Sequence, residues 1–307
     1  RFKKGMPLAF GDGVLSPRDS DFTAKAAAKP PKYPKIEDIP KPRRDLVDRS
    51  KYFIVWTATT EKKLKTIFPR TATIRTSYGC PFNCSFCVVH HIMSGQYLQR
   101  TPEDVVDEIS KLKEDHIYFV DDENFINSDR MTKIAKLLIE RGIKKKYVSW
   151  ARSDTIVKHP DVFKLWKEAG LSLVYVGLEA MTGERLEKLN KRTTVETNKK
   201  AISILHELGI TLHASFMLDP DFGEEEFAAL KKEVKNICPA EVTFTVFSPS
   251  PGTELWQKHK NDFIKDPYIY YDCMHTILPT RLPIRRFYQH FSDLYGIAFR
   301  ANPLRLN

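Results

Sequence analysis

Three cysteines in the run TSYGCPFNCSFC, at Cys80, Cys84 and Cys87, constrain this chain more than any other feature. Their spacing is C-x3-C-x2-C, and a β-rich stretch at residues 71–76 (TATIRT) ends just before it. Three closely spaced thiolates can hold three corners of an iron–sulfur cube. Without a fourth local cysteine one iron stays open to a small molecule, so the loop belongs beside a cavity. A disulfide framework fits badly, because five cysteines in 307 residues are sparse and no secretory feature is visible. A structural zinc site is the stronger rival, since His90 or His91 could complete a Cys3His tetrahedron. Such sites pair two separated knuckles, however, and the sequence offers no second C-x2-C or H-x3-H. Cys238 and Cys273 stand far off and are expected to be small, mostly buried thiols.

Length and charge set the outer bounds. A chain of 307 residues can hold one large domain or two smaller ones. No run of 18 apolar residues occurs, so no transmembrane helix is expected. Thiols kept reduced for iron imply a cytoplasmic home. The net charge of +10 invites a nucleic acid or an anionic lipid. The lysines are spread along helices and linker instead of forming a dense block, so no nucleic-acid partner is expected. The chain opens on Arg1 with no initiator methionine, and a piece of a longer protein is the expectation.

Residues 1–70 differ from the rest. PLAFGDGVLSP, residues 7–17, reads as a hairpin turning at Asp12-Gly13. Residues 26–42 are too rich in proline for a helix or interior strand and read as an extended linker. From residue 71 onward, β-rich runs alternate with amphipathic stretches, the pattern of successive βα units. Strands are expected at residues 71–76, 117–120, 147–151, 173–177, 211–218 and 242–247. In the helix that follows the cysteines, Thr101 is the cap, Pro102 the first position, and Val105, Ile109 and Leu112 the core face. A second helix, about 128–142, should bury Met131, Ile134, Leu137 and Leu138 and stop on Gly142. Helices also fit 161–169, 195–208, 224–237 and about 284–299. Six βα units with right-handed crossovers curl toward a barrel, and eight would close it. The expected fold is therefore α/β: a partial (β/α)6 barrel over 71–250, an N-terminal hairpin and linker, and a C-terminal helical extension over 251–307. In such barrels the chemistry sits at the C-terminal strand ends, where the cysteine loop follows the first strand.

With Phe86 just before its third cysteine, this motif resembles that of the radical S-adenosylmethionine (SAM) enzymes. The resemblance implies an open 4Fe–4S cluster on Cys80, Cys84 and Cys87. It also implies bound SAM, a 5′-deoxyadenosyl radical that abstracts hydrogen from an unactivated C–H bond, and an electron donor such as flavodoxin or ferredoxin. Strand ends then supply candidate SAM ligands. FVDDENF gives Asp121 and Asp122, either of which could hold the methionine amino group or serve as a helix cap or salt-bridge partner. Many relatives carry Gly-Gly-Glu at that strand end, so the choice stays open. Arg152, after SWA, could grip the methionine carboxylate in a bidentate fork or form a structural ion pair. Glu179 in VYVGLEA is similar to the family's G-x-E segment, whose carboxylate contacts the ribose or amino end of SAM. The match continues through GLEAMTGERLEKLNKRTT. Ala214 and Met217 could let adenine lie against the backbone, or could simply pack the core. FSPSPGTELW resembles a P-x-P-G-T exit loop and is expected to shape a pocket wall.

The flanks resemble the cobalamin-dependent subgroup, and residues 270–296 resemble the C-terminal part of hopanoid C-3 methylases. That resemblance implies methylation of an unactivated carbon on a hopanoid-like lipid, peripheral contact with the inner membrane face, and cobalamin. No Asp-x-His-x-x-Gly signature is present in this chain, so cobalamin is expected from an upstream domain. Two alternatives stand beside it. One is an oxidative ring-forming radical enzyme of tetrapyrrole synthesis. The other is a metal-stapled module that binds RNA or membrane.

Overall fold

Alternating β-rich and amphipathic runs resolve into six parallel strands in the computed structural model, which describes residues 35–56 and 67–301. The hairpin expected at residues 7–17 and most of the proline-rich stretch fall outside those residues. Contacts divide the chain between Arg43 and Arg44. Before that point the described backbone carries one 3-10 turn, Ile36–Asp38, flanked by extended Lys35 and Ile39.

The second unit holds the sheet. Its strands are β1 (Thr71–Ile74), β4 (His116–Phe119), β5 (Lys146–Ala151), β6 (Leu171–Glu179), β7 (Thr211–Leu218) and β8 (Glu241–Val246). They pair in chain order, β1-β4-β5-β6-β7-β8, all parallel. Each crossover therefore moves one strand onward, which is how a singly wound barrel grows, and six strands leave it open. The partial (β/α)6 barrel is as expected. A two-stranded antiparallel ribbon, β2 (Ser77–Tyr78) with β3 (Leu98–Gln99), was not visible in the sequence. It explains why β1 stops at Ile74 instead of residue 76. The Thr76 and Ser77 amides leave the sheet and donate to the Asp121 carboxylate.

Strand residues alternate cleanly between two environments. Val174, Val176 and Leu178 of β6 and Leu212, Ala214, Phe216 and Leu218 of β7 are buried in the core under the helices. Helix Pro102–Ser110 begins on Thr101, whose hydroxyl accepts from Asp104 N at 3.3 Å, and buries Val105 and Ile109. Helix Ser128–Glu140 is capped by Asn127 and buries Met131, Ile134 and Leu138, with Leu137 only partly covered. The C-terminal helix Ile284–Ala301 covers the edge strand β8. The Tyr295 hydroxyl donates to Phe244 O and accepts from Phe244 N, both at 3.1 Å, so the edge backbone is satisfied.

The N-terminal end of the barrel has a floor. Trp56 is fully buried, packs with Val148 and Leu173, and meets the His116 ring edge-on at 4.5 Å. Beside it lies a cleft of about 1420 Å³ lined by Arg44, Arg49, Arg70, Glu114 and Lys146 among others. It lies at the strand starts, at the opposite end from the cysteine loop, and is not where barrel chemistry sits. Cys238 and Cys273 correct the expectation of burial, since both are exposed. Cys238 ends helix Glu224–Ile237 in a left-handed conformation, and Cys273 lies in the irregular C-terminal stretch. No helix among the described residues is long and apolar enough to cross a membrane.

Candidate active site

The cysteine loop is tied down before it reaches its first cysteine. Asp121 Oδ1 accepts from Thr76 N and Thr76 Oγ1, both at 2.9 Å, from Ser77 Oγ at 2.6 Å, and from Ser77 N. Asp122 Oδ2 accepts from Gly79 N at 2.9 Å and pairs with Arg75 at 2.6 Å. Both candidate aspartates thus spend an oxygen on holding this loop to the end of β4. Gly79 is required by conformation, because its φ is +87° and a Cβ there would collide with Gln96 O. Between its cysteines the loop docks on the turn following helix Gly183–Lys188. Ser85 N donates to Leu189 O at 3.1 Å, and Asn190 Nδ2 donates to Asn83 O at 2.6 Å.

Two cations face the thiols. Arg152, 6% exposed, donates from Nη1 to Cys84 Sγ at 3.6 Å, and its guanidinium lies 3.9 Å from the Phe82 ring centroid. Both carboxylate oxygens of Asp154 accept from one edge of it, from Nε at 2.9 Å and Nη2 at 2.8 Å, and Lys191 O accepts from Nη2 at 2.6 Å. The fork expected of Arg152 therefore exists, but it grips Asp154. The second cation, Lys191, is 7% exposed and pairs with Glu179 Oε1 at 2.9 Å, with Nζ 5.7 Å from the Phe86 ring centroid. Burial alone would pull its pKa down, yet the Glu179 carboxylate holds it above the ordinary value. Burial pushes the Cys80 thiol up to about 11 and raises Cys87 as well.

Glu179 sits on a strained backbone. Its φ is +60°, and the pairing of β6 with β7 slips between Gly177 and Glu179. Asn198, fully buried, straps the peptides on both sides by donating to Leu178 O at 3.0 Å and Ala180 O at 3.3 Å. Gly177 makes room for the pair, since a Cβ there would strike Glu179 Oε1 and lie 3.0 Å from Lys191 Nζ. Across the site, Glu123 is 3% exposed, and burial raises its carboxyl to about 8. The charges that act on it include Arg152 and Lys191, and its own charge acts on Cys80.

Beyond these groups a cavity of about 520 Å³ opens between Ser85, Ala180, Met217, Phe247 and Leu278, large enough for a nucleoside-sized group. The structure brings together the cysteine loop with Phe86, Arg152 and Glu179. It puts Met217 on the cavity wall and keeps Asp121 and Asp122 under the loop as anchors. Ser250 of the expected exit loop donates to Phe86 O at 3.2 Å, which joins β8 to the cysteine loop.

The Radical SAM superfamily model matches residues 74–234, just over half of the 307-residue chain. The chain belongs to the radical SAM superfamily. This radical SAM chain is 34% identical over 274 residues to the hopanoid C-3 methylase of Methylococcus capsulatus, covering 89% of itself and 51% of that protein. It is 29% identical over 283 residues to the anaerobic magnesium-protoporphyrin IX monomethyl ester cyclase of Cereibacter sphaeroides, covering 90% of itself and 42% of that protein. The chain thus spans about half the length of the curated relatives it matches. Among solved structures, the radical SAM methyltransferase TsrM from Kitasatospora setae superposes with a TM-score of 0.56 at 16% identity, over 74% of this chain and 51% of that one.

The residues suit the cofactors of a radical SAM enzyme. A structural zinc ion would draw three or four side chains onto one point. A cube makes a different demand, with each thiolate on its own iron. Three thiols on one pinned loop, with a guanidinium already donating to the sulfur of Cys84, are a donor set of that chemistry. Sequence reading passed over Glu123, Lys191 and Asn198. Lys191 lay inside the quoted LNKRTT run, and Glu123 directly follows the two aspartates.

Proposed function

We propose that this chain is the catalytic barrel of a radical SAM C-methyltransferase that acts with cobalamin on an unactivated carbon of a hopanoid-like lipid. The observation that carries the reading is the cysteine loop at the C-terminal strand ends, faced by two buried cations, Arg152 and the Lys191 that pairs with Glu179. Similarity to the hopanoid C-3 methylase supports the substrate class. When bound, the cluster and SAM supply an electron and a carbon radical, and cobalamin bound outside this barrel supplies the methyl group. The chain's own residues hold and shield that chemistry. Cys80, Cys84 and Cys87 would carry the cluster, with Arg152 and Lys191 offsetting its thiolate charge. Glu179, Lys191 and Glu123 would hold the zwitterionic methionine moiety, and Met217 would offer apolar surface to the adenine. A saturated ring carbon has neither an acidic proton nor a lone pair, so polar methylation cannot reach it, and hydrogen abstraction can. The net charge of +10 would favour docking on anionic lipid, where such a substrate resides.

The test is anaerobic reconstitution of the full-length protein, then expression in a hopanoid-producing host that lacks the activity. About four irons per chain, 5′-deoxyadenosine formation and a methylated hopanoid are expected. Substoichiometric iron with stoichiometric zinc would overturn the cluster. Formation of 5′-deoxyadenosine without lipid methylation would overturn the substrate. Similarity to the protoporphyrin ester cyclase keeps ring formation on a tetrapyrrole as the second reading.

A further inference from the structure

The inner face of the barrel is open. Facing residues of β6, β7 and β8 (Tyr175, Gly177, Ser215, Met217, Thr243, Thr245) are all half-buried, while their alternates lie fully under the helices. A barrel filled by its own side chains would bury both sets. Strand register sorts this face into rows. The lowest contains Val148 and Leu173, sealed by Trp56. Above it runs Trp150, Tyr175, His213 and Glu241, paired in register across four strands. The next row is small, namely Gly177, Ser215 and Thr243. The top row holds Met217 in register with Thr245, and Glu179, past the slip in β6 and opposite Phe216, stands at the same end, the candidate SAM site. At roughly 3.3 Å per residue, the four residues from Glu179 down to Tyr175 span about 13 Å.

The aromatic row has a definite chemistry. Trp150 and Tyr175 stack on each other at 4.5 Å, and Tyr175 meets His213 at 4.1 Å, so the ring faces are spent on one another and the edges remain for the lumen. Trp150 Nε1 donates to Tyr118 OH at 2.8 Å. His213 is held by Glu241 at 2.7 Å and by Thr243 at 2.6 Å. The Tyr175 hydroxyl has no hydrogen-bond partner among the described residues and is not sealed from solvent. Ring edges pack against aliphatic C–H surface, and a phenol without a partner can donate to one oxygen.

We propose that this row is the substrate wall. It takes a fused aliphatic ring body lying in the gap over the small row, with one oxygen on the substrate accepting from Tyr175. Trp150 and Tyr175 are specificity-determining residues, and Trp56 is the floor that limits how deep the ring body sits. This deepens the proposed function and rests on it for the reacting carbon, which must lie near Glu179.

The test uses the full-length, anaerobically reconstituted protein with two probes in detergent micelles: hopan-22-ol and hopane, which lacks the hydroxyl. Affinity is read from tryptophan fluorescence, and SAM affinity is measured separately by calorimetry. Tyr175→Phe is expected to weaken hopan-22-ol about tenfold, the worth of one hydrogen bond, and to leave hopane unchanged. Trp150→Leu should weaken both probes, and neither variant should move SAM affinity. Unchanged binding of both probes in both variants overturns the substrate wall, as does failure of the parent protein to bind either probe. Loss of SAM binding by the parent protein, with the probe pattern intact, would sink the cofactor reading and leave the wall standing.

Discussion

At the scale of single residues, the site depends on buried charges that only the fold brings together. Lys191 and Glu179 are twelve positions apart, yet they form a pair that is 7% and 8% exposed. Removing one partner strands the other. Lys191→Met is expected to cost about 3–5 kcal/mol, and Glu179→Gln with Lys191→Met should recover much of that stability without recovering SAM affinity. Denaturant midpoints and anaerobic calorimetry on the same samples separate the two effects, and a single variant as stable as the parent would refute the pairing. Glu123 gives a pH signature. Its folded pKa of about 8 exceeds the model-peptide value of 4.5, so the folded chain holds this proton more tightly than the unfolded chain. That contribution is fully present below 4.5 and is lost as pH rises toward 8. Glu123→Gln keeps a neutral group, and its stability at pH 8 should exceed the parent's by at least about 1.4 kcal/mol, the worth of one pKa unit. Parallel stability curves from pH 5 to 8 would contradict this. The cysteines, Arg152 and Glu179 were legible because strand ends in a parallel barrel point to one mouth. Glu123 and Lys191 were not, because their burial is a property of the assembled site.

At the scale of elements, helix starts were the most legible feature and strand ends the least. Thr101 and Pro102 announce a helix by local chemistry alone. The end of β1 depends instead on Asp121, which lies more than forty residues away and draws the Thr76 and Ser77 amides out of the sheet. β6 runs to Glu179 rather than residue 177 because Asn198 fixes the peptides around a left-handed residue. The loop between β2 and the cysteines has one position that no side chain fits. Gly79→Ala is expected to cost about 1–3 kcal/mol from its positive φ, with more from the collision at Gln96 O, and to lower iron uptake. Iron content after reconstitution, with circular dichroism to confirm folding, checks it; a fully loaded variant would show that the loop adapts. Tyr295→Phe removes the hydroxyl that satisfies both backbone groups of Phe244. It should cost about 1–3 kcal/mol and loosen the β8 edge, seen as faster amide exchange there.

For the whole molecule, periodicity and motif carried the architecture: six βα units in chain order, with the cysteine loop at the mouth. What the sequence hid is how the barrel is closed below. Residues 1–70 read as a hairpin and a proline-rich linker with no catalytic feature, and no periodic pattern around residue 56 marked a core position. The structure shows that one residue of that stretch, Trp56, is among the largest fully buried side chains in the protein. A lone tryptophan in an irregular segment carries no local sign of burial, since the hole it fills is built by strand residues sixty and more positions later. Trp56 seals the lower end of the barrel against β5 and β6, and its indole nitrogen has no hydrogen-bond partner among the described residues. Trp56→Ala is therefore expected to cost about 3–5 kcal/mol, whereas Trp56→Phe should cost less, because it fills most of the volume and removes the unpaired N–H. The alanine variant should also expose the lower lumen to water, so its denaturant slope should fall as the native state exposes more surface. Urea unfolding followed by circular dichroism measures both the midpoint and the slope. Equal losses for alanine and phenylalanine would mean that the indole is held by something other than packing, and an unchanged midpoint in both would mean that the floor carries no load.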